Sequence, residues 1–134
     1  MFIAIPEYIR NKSKDISPKC NRVQAILLQI SKDNIMIINV YFPKDPKTKE
    51  YNLDTNLENV LASIENLVER YPCNNVVIVG DVNGDWKSDN GHTTRLETFM
   101  FNNSLESAWK TFAVDFTHEF KKDDITYTST IDHI

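Results

Sequence analysis

The chain lacks most of the marks that would assign it quickly. Its two cysteines, Cys20 and Cys73, are far apart and no C-x-x-C pair occurs. That excludes the usual zinc-site spacing. Two free buried thiols of a reducing compartment are the plainest reading, with a disulfide left open. There is no excess of positive charge: 15 Lys and Arg face 19 Asp and Glu, for a net charge of −4. No global basic field therefore draws the chain to nucleic acid. This weighs against a plain nucleic-acid-binding module and little against a metal-dependent nuclease, whose site is itself acidic. No apolar run approaches the roughly 20 residues that cross a bilayer. The opening "MFIAIPEYIRNK" has a short apolar run broken by Pro6 and Glu7, no basic start and no small-residue cleavage site, so it does not read as a secretory leader. An intracellular chain, nuclear or cytoplasmic, is expected. Repeats and low-complexity tracts are missing too. What remains, 134 residues at 41% hydrophobic and 25% charged, has the composition of one soluble globular domain.

Patterning predicts an α/β order. Phe2 to Ile5 reads as a short strand. Arg22–Ile30 and Asn34–Phe42 are rich in β-formers and flank Ser31, Lys32 and Asp33, which predicts a hairpin. Val23, Ala25 and Leu27 on one side, with Ile26 and Leu28 on the other, predict a sheet buried on both faces. Tyr41–Asn52, with two prolines, is a loop. Leu57, Val60, Leu61, Ile64, Leu67 and Val68 then keep the spacing of one buried helix face. Thr55 with Glu58 reads as a capping box, and Pro72 closes the segment. Val76–Val79 is a continuous β-branched run, the mark of a central strand covered on both sides. A shorter helix with Leu96, Phe99 and Met100 inward follows a second capping box, Thr94 and Glu97. Val114–Phe120 and Ile125–Ile134 read as strands around a turn at Lys121–Asp124.

The stretch "VVIVGDVNGDW" (residues 76–86) carries the chemistry. Strand ends in layered α/β folds collect ligand-binding groups, because a rigid strand aims them. Asp81 offers a hard anionic oxygen for Mg²⁺ or for a water. Asn83 can donate to a phosphate and accept from water without adding charge. Gly80 and Gly84 let the backbone turn closely. Asp81-x-Asn83-x-Asp85 also opens like a calcium loop, but Trp86 stands where the turn glycine belongs and His92 where the bidentate Glu belongs, which rejects it. An Asx-type turn with no catalytic role remains the plain alternative for these residues.

Three stretches occur in order: "IINVYFP" (37–43), "VVIVGDVN" (76–83) and "STIDHI" (129–134). Together they resemble the endonuclease/exonuclease/phosphatase superfamily, with its Y-x-P, G-D-x-N and I-D-H/Y motifs in this sequence. "N-V-Y-x-P" and "S-T-I-D-H" are most similar to the apurinic-type endonuclease domain of non-LTR (LINE-like) retrotransposons, and "FTHEF" (116–120) is similar to the family's F-T-aromatic segment. The resemblance implies an incomplete four-layer α/β sandwich with mixed sheets, formed by residues 1–134 as a single partial domain. It implies Mg²⁺- or Mn²⁺-dependent hydrolysis of a DNA phosphodiester by an activated water. Carried over, Asp81 would bind the metal or orient the water, Asn83 would hold the water or the phosphate, Tyr41 would contact the scissile phosphate, and Asp132 would orient a catalytic histidine.

That histidine belongs to a later S-D-H motif, which this sequence does not contain. His133 is adjacent to Asp132 in an expected strand, so the two alternate in face, and Asp132 is taken as the site residue. His92 and His118 read as surface or loop histidines. The family's first-strand Asn and its Gln-Glu metal ligand are also missing: Glu7 has no Gln before it. Lys44 stands where some relatives have Asn. Half a site is expected, with weak or absent metal binding and no cleavage by this chain alone. A non-catalytic remnant acting as a binding module, or a phosphatase-branch member of the superfamily, are the alternatives. No membrane partner is expected.

Overall fold

The computed structural model describes residues 2–43, 53–83, 91–108, 118–122, 125–129 and 132–133. The expected hairpin forms from β2 (Val23–Ile30) and β3 (Asp33–Tyr41), joined by the two residues Ser31 and Lys32, with Ser31 at φ 57°. A short strand, β1 (Ser13–Asp15), pairs antiparallel with β2. Helix α1 (Leu53–Arg70) then leads to β4 (Asn75–Asp81), which lies parallel to β3. Helix α2 (Gly91–Asn102) follows, then β5 (His118–Lys122), β6 (Ile125–Ser129) and β7 (Asp132–His133). The main sheet is mixed, in the order β1-β2-β3-β4-β7, and β5 and β6 form a separate two-stranded sheet. No helix among the described residues is long and apolar enough to cross a membrane.

One face of the sheet carries the core. Register sets Val23 beside Val40, Ala25 beside Ile38 and Leu27 beside Met36. Leu57, Val60, Leu61, Ile64 and Leu67 of α1 close over this face, with Leu96 and Phe99 of α2 and with Val82. The stripe read from the sequence is thus the stripe buried. A fully buried side chain such as Ile64 contributes about 1.5–3 kcal/mol by leaving water. On the opposite face Ile26 and Leu28 are buried, but Val77 keeps 40% of its surface and Tyr41 45%. Among the described residues β4 is therefore central by pairing without being covered on both sides, as its apolar run had suggested.

Several expectations change. Residues 2–5 are not a strand. β3 already has β2 and β4 on its two edges, so no ladder is open to Phe2, whose carbonyl instead accepts from the Asn39 side chain at 3.2 Å. A 3-10 helix, Glu7–Lys12, follows Pro6. Neither expected capping position is a helix start. α1 begins at Leu53 and α2 at Gly91, so Thr55 and Thr94 lie inside helices. Burial of His92 and Thr93 below Leu96 and Phe99 winds α2 one turn earlier and leaves Thr94 and Glu97 facing solvent. β5 runs through Lys121 and Lys122, which were expected in the turn. The strand expected over 125–134 is divided: Ser129 pairs with His118 in the small sheet while Asp132 pairs with Asp81 in the large one. The loop over 44–52, the segment after Asn83 with Gly84 and Asp85, and Val114 to Thr117 lie outside the described residues. Cys20 and Cys73 are free and half-buried.

Candidate active site

The end of the sheet where β3 and β4 finish gathers the residues singled out by sequence. Tyr41 is the last residue of β3 and Asp81 the last of β4, and the parallel register sets them side by side. β7 pairs antiparallel on the other edge of β4, with Asp132 opposite Asp81 and His133 opposite Gly80. Opposed Cα atoms in such pairs are about 4.5–5.5 Å apart. Positions 41, 81 and 132 thus form one row across three strands and share a face, while position 133 alternates to the other. Gly80 is registered with core residue Val40, so the row belongs to the face away from α1.

The turn after β4 is tightly held. The Phe42 N–H donates to the Asp81 carbonyl at 2.9 Å and continues the parallel ladder one residue past β3. The Asn83 N–H donates to Asp81 Oδ1 at 2.9 Å, and Asn83 Nδ2 donates to the Phe42 carbonyl at 2.8 Å. This is the Asx-type turn, built around an Asn83 in the left-handed region at φ 48°. Among the described residues it engages one amide hydrogen of Asn83; the second and Oδ1 are of a chemistry that could meet a ligand. Gly80 adopts φ 129°, and a Cβ there would collide with the Val40 carbonyl and come within 2.9 Å of Asn39 Oδ1. Only glycine lets β4 approach β3 so closely just before Asp81.

Two residues were not found by sequence reasoning. Arg22 continues the β2–β3 ladder: its carbonyl accepts from the Tyr41 N–H at 3.0 Å, its Nη1 donates to the Tyr41 carbonyl at 3.4 Å, and its guanidinium sits 5.3 Å from the Tyr41 ring centroid. It adds a cation beside the row. Counting pairs back from the Ser31–Lys32 turn would have placed it there. His92 is the second. Far from being a surface histidine, it is 3% exposed in the first turn of α2, with Nε2 3.0 Å from the Val82 carbonyl. That position is on the core side of the turn. His118 lies in β5. Glu7 lies in the exposed 3-10 helix.

Carboxylates are the donors that a divalent cation would draw on here. Asp81 has one oxygen engaged by Asn83, and the register supplies one further carboxylate position, Asp132. Among the described residues no group of three or more His, Cys, Asp or Glu could hold a metal ion. Among the described residues, Asp81 and Asp132 are thus the acidic positions that the row brings together.

No curated protein matches the chain. Among solved structures it is similar to the endonuclease domain of TRAS1, a telomere-specific non-LTR retrotransposon, with TM-score 0.68 and 16% identity over 90% of this chain and 54% of that one. At that identity the likeness is one of fold, and it bears out the α/β class expected from the ordered motifs. The chain spans about half the length of the TRAS1 domain. Residues 35–134, about three quarters of the chain, match the family described as endonuclease-reverse transcriptase. The chain, with its Y-x-P, G-D-x-N and I-D-H motifs gathered at one sheet end, belongs to that endonuclease-reverse transcriptase family.

Proposed function

We propose that the chain is part of a DNA-cleaving phosphodiesterase domain of retrotransposon origin, and that its site does not cleave on its own. The observation that carries this reading is the shared row of Tyr41, Asp81 and Asp132 on three adjacent strands, with Asn83 in the turn beyond. In this reading the Asp81 carboxylate orients the attacking water. Asn83 donates to the water or to a phosphate oxygen. The half-exposed Tyr41 hydroxyl contacts the scissile phosphate, beside the fixed positive charge of Arg22. Asp132 orients a histidine that this sequence does not contain, fixing its tautomer. In a complete domain Mg²⁺ or Mn²⁺ supplies charge neutralisation at the phosphate. Asp81 is the metal-side residue here, and the partial donor set favours weak binding or none.

The test is supercoiled-plasmid nicking with Mg²⁺ or Mn²⁺ by this chain, and by the longest polypeptide its reading frame encodes with flanking sequence. The chain alone is expected to nick negligibly. A longer product that supplies a Gln-Glu and a Ser-Asp-His is expected to nick and to lose activity in Asp81→Asn. Robust nicking by the 134 residues, lost in Asp81→Asn, overturns the claim of an incomplete site. Nicking by the longer product that survives Asp81→Asn overturns the site itself.

A further inference from the structure

His92 is the buried titratable group that the proposed chemistry leaves unused. Its Nε2 lies 3.0 Å from the carbonyl of Val82, the residue between Asp81 and Asn83. A carbonyl only accepts, so Nε2 carries the proton and donates. Among the described residues its Nδ1 is buried without a partner. An imidazole kept for packing alone would be better served by an apolar side chain of similar volume, which strands no polar atom. The bond to Val82 is what the histidine contributes.

That bond falls at a critical place. Asn83 holds a left-handed backbone at φ 48°, a conformation that asparagine tolerates better than other non-glycine residues and that local hydrogen bonds fix. Three bonds already tie the turn to itself and to Phe42 just past β3: Asn83 N–H to Asp81 Oδ1, Asn83 Nδ2 to the Phe42 carbonyl, and Phe42 N–H to the Asp81 carbonyl. The first closes the turn on itself, and the other two restrain it from the β3 side. The His92 bond restrains it from α2, on the core side, where the Val82 side chain is also buried.

We propose that His92 is a positioning residue of the candidate site: its Nε2–H clasps the Val82 carbonyl and sets the left-handed turn that presents Asp81 and Asn83. This rests on the reading of Asp81 and Asn83 as site residues. The clasp acts through the backbone and touches no substrate.

The experiment uses ¹⁵N NMR and amide hydrogen exchange on the whole chain, with His92→Gln, whose side-chain amide N–H reaches the place of Nε2, and His92→Leu, which has no donor. The expected wild-type ring is the Nε2–H tautomer. In His92→Leu the Asn83 amide is expected to exchange at least about tenfold faster relative to core amides of α1, and His92→Gln to restore it to within about threefold of wild type. An Nδ1–H tautomer overturns the clasp, as does equal Asn83 exchange in the Gln and Leu variants. If His92→Leu does not fold, His92→Gln decides against wild type: retained Asn83 protection supports the clasp and lost protection overturns it. In the longer, nicking-competent product, His92→Leu is expected to lower kcat with little change in KM and His92→Gln to recover it. A failed clasp beside nicking that Asp81→Asn abolishes overturns the positioning role alone. An intact clasp beside nicking that Asp81→Asn leaves unchanged overturns the site reading, and the positioning role with it.

Discussion

At the scale of single residues, the geometry beside the candidate site is strictest where a backbone position tolerates one side chain. Gly80 is the sharpest case. A methyl group there meets the Val40 carbonyl while the backbone stays at φ 129°. Gly80→Ala is expected to destabilise the fold by at least about 1–3 kcal/mol through strain alone, read as a fall in the urea midpoint, and to loosen the β3–β4 ladder next to Asp81. Arg22 makes a milder case. Its stack on Tyr41 is solvent-facing, where such contacts contribute about 0.5–1 kcal/mol. Arg22→Ala is therefore expected to cost about that much in the same measurement. Arg22→Lys is expected to recover only part of it, since the planar guanidinium is what lies over the ring and reaches the Tyr41 carbonyl.

At the scale of elements, the helices are set by burial and by their ends. Ile64 is fully buried at the centre of α1. Ile64→Ala is expected to cost about 2–5 kcal/mol in denaturant melts, the range for removing a buried aliphatic side chain and leaving a cavity. α2 ends in a six-to-one bond from the Leu105 N–H to the Met100 carbonyl, with Ser104 at φ 54°. Left-handed backbone costs a serine about 1–2 kcal/mol, against glycine's extra chain entropy of about 0.5–1 kcal/mol. Ser104→Gly is therefore expected to raise stability modestly. In the loop after β1, the Ser17 hydroxyl beside it and the Ser17 backbone N–H, which donates to Asp15 Oδ1 at 2.8 Å, hold the Asp15 pKa below the ordinary value. A carboxylate depressed on folding stabilises above its unfolded pKa, and that contribution is lost as pH falls through the folded one. Asp15→Ala is thus expected to lower stability slightly at pH 7 and not at pH 2, and equal effects at both would refute the assignment.

At the scale of the whole molecule, the two faces of the main sheet differ. The face toward α1 and α2 is closed by apolar side chains from both helices. The other face holds the row of site positions and the half-exposed Val77 and Tyr41. Activity belongs to this scale as well. A metal-assisted cleavage needs ligands that converge, and the described residues bring two carboxylate positions together without a third. Added Mn²⁺ is therefore expected to raise the thermal midpoint of the chain little, and EDTA to lower it little. A shift of several degrees on adding the metal would show a tighter site than these donors imply.

Much of this was written in local pattern. The 23–41 hairpin, the buried stripe of α1 and the apolar run into Gly80 and Asp81 follow from periodicity, because alternation and helical spacing are properties of neighbouring residues. The motifs also named Tyr41, Asp81, Asn83 and Asp132, since each is fixed by its immediate context. What local pattern could not reach was anything decided by a distant partner. Phe2–Ile5 has the propensity for a strand but no free ladder beside β3. Residues 125–134 are divided because His118 and Asp81 pull its two halves into different sheets. Capping signatures at Thr55 and Thr94 gave way to helices that start earlier, α2 with His92 and Thr93 buried in its first turn. The row itself, and the grip of His92 on Val82 across ten residues of sequence, exist only once three strands and a helix are packed. The sequence determined which groups the candidate site could draw on. The tertiary structure decided which of them meet, because register and burial are settled between segments and not within them.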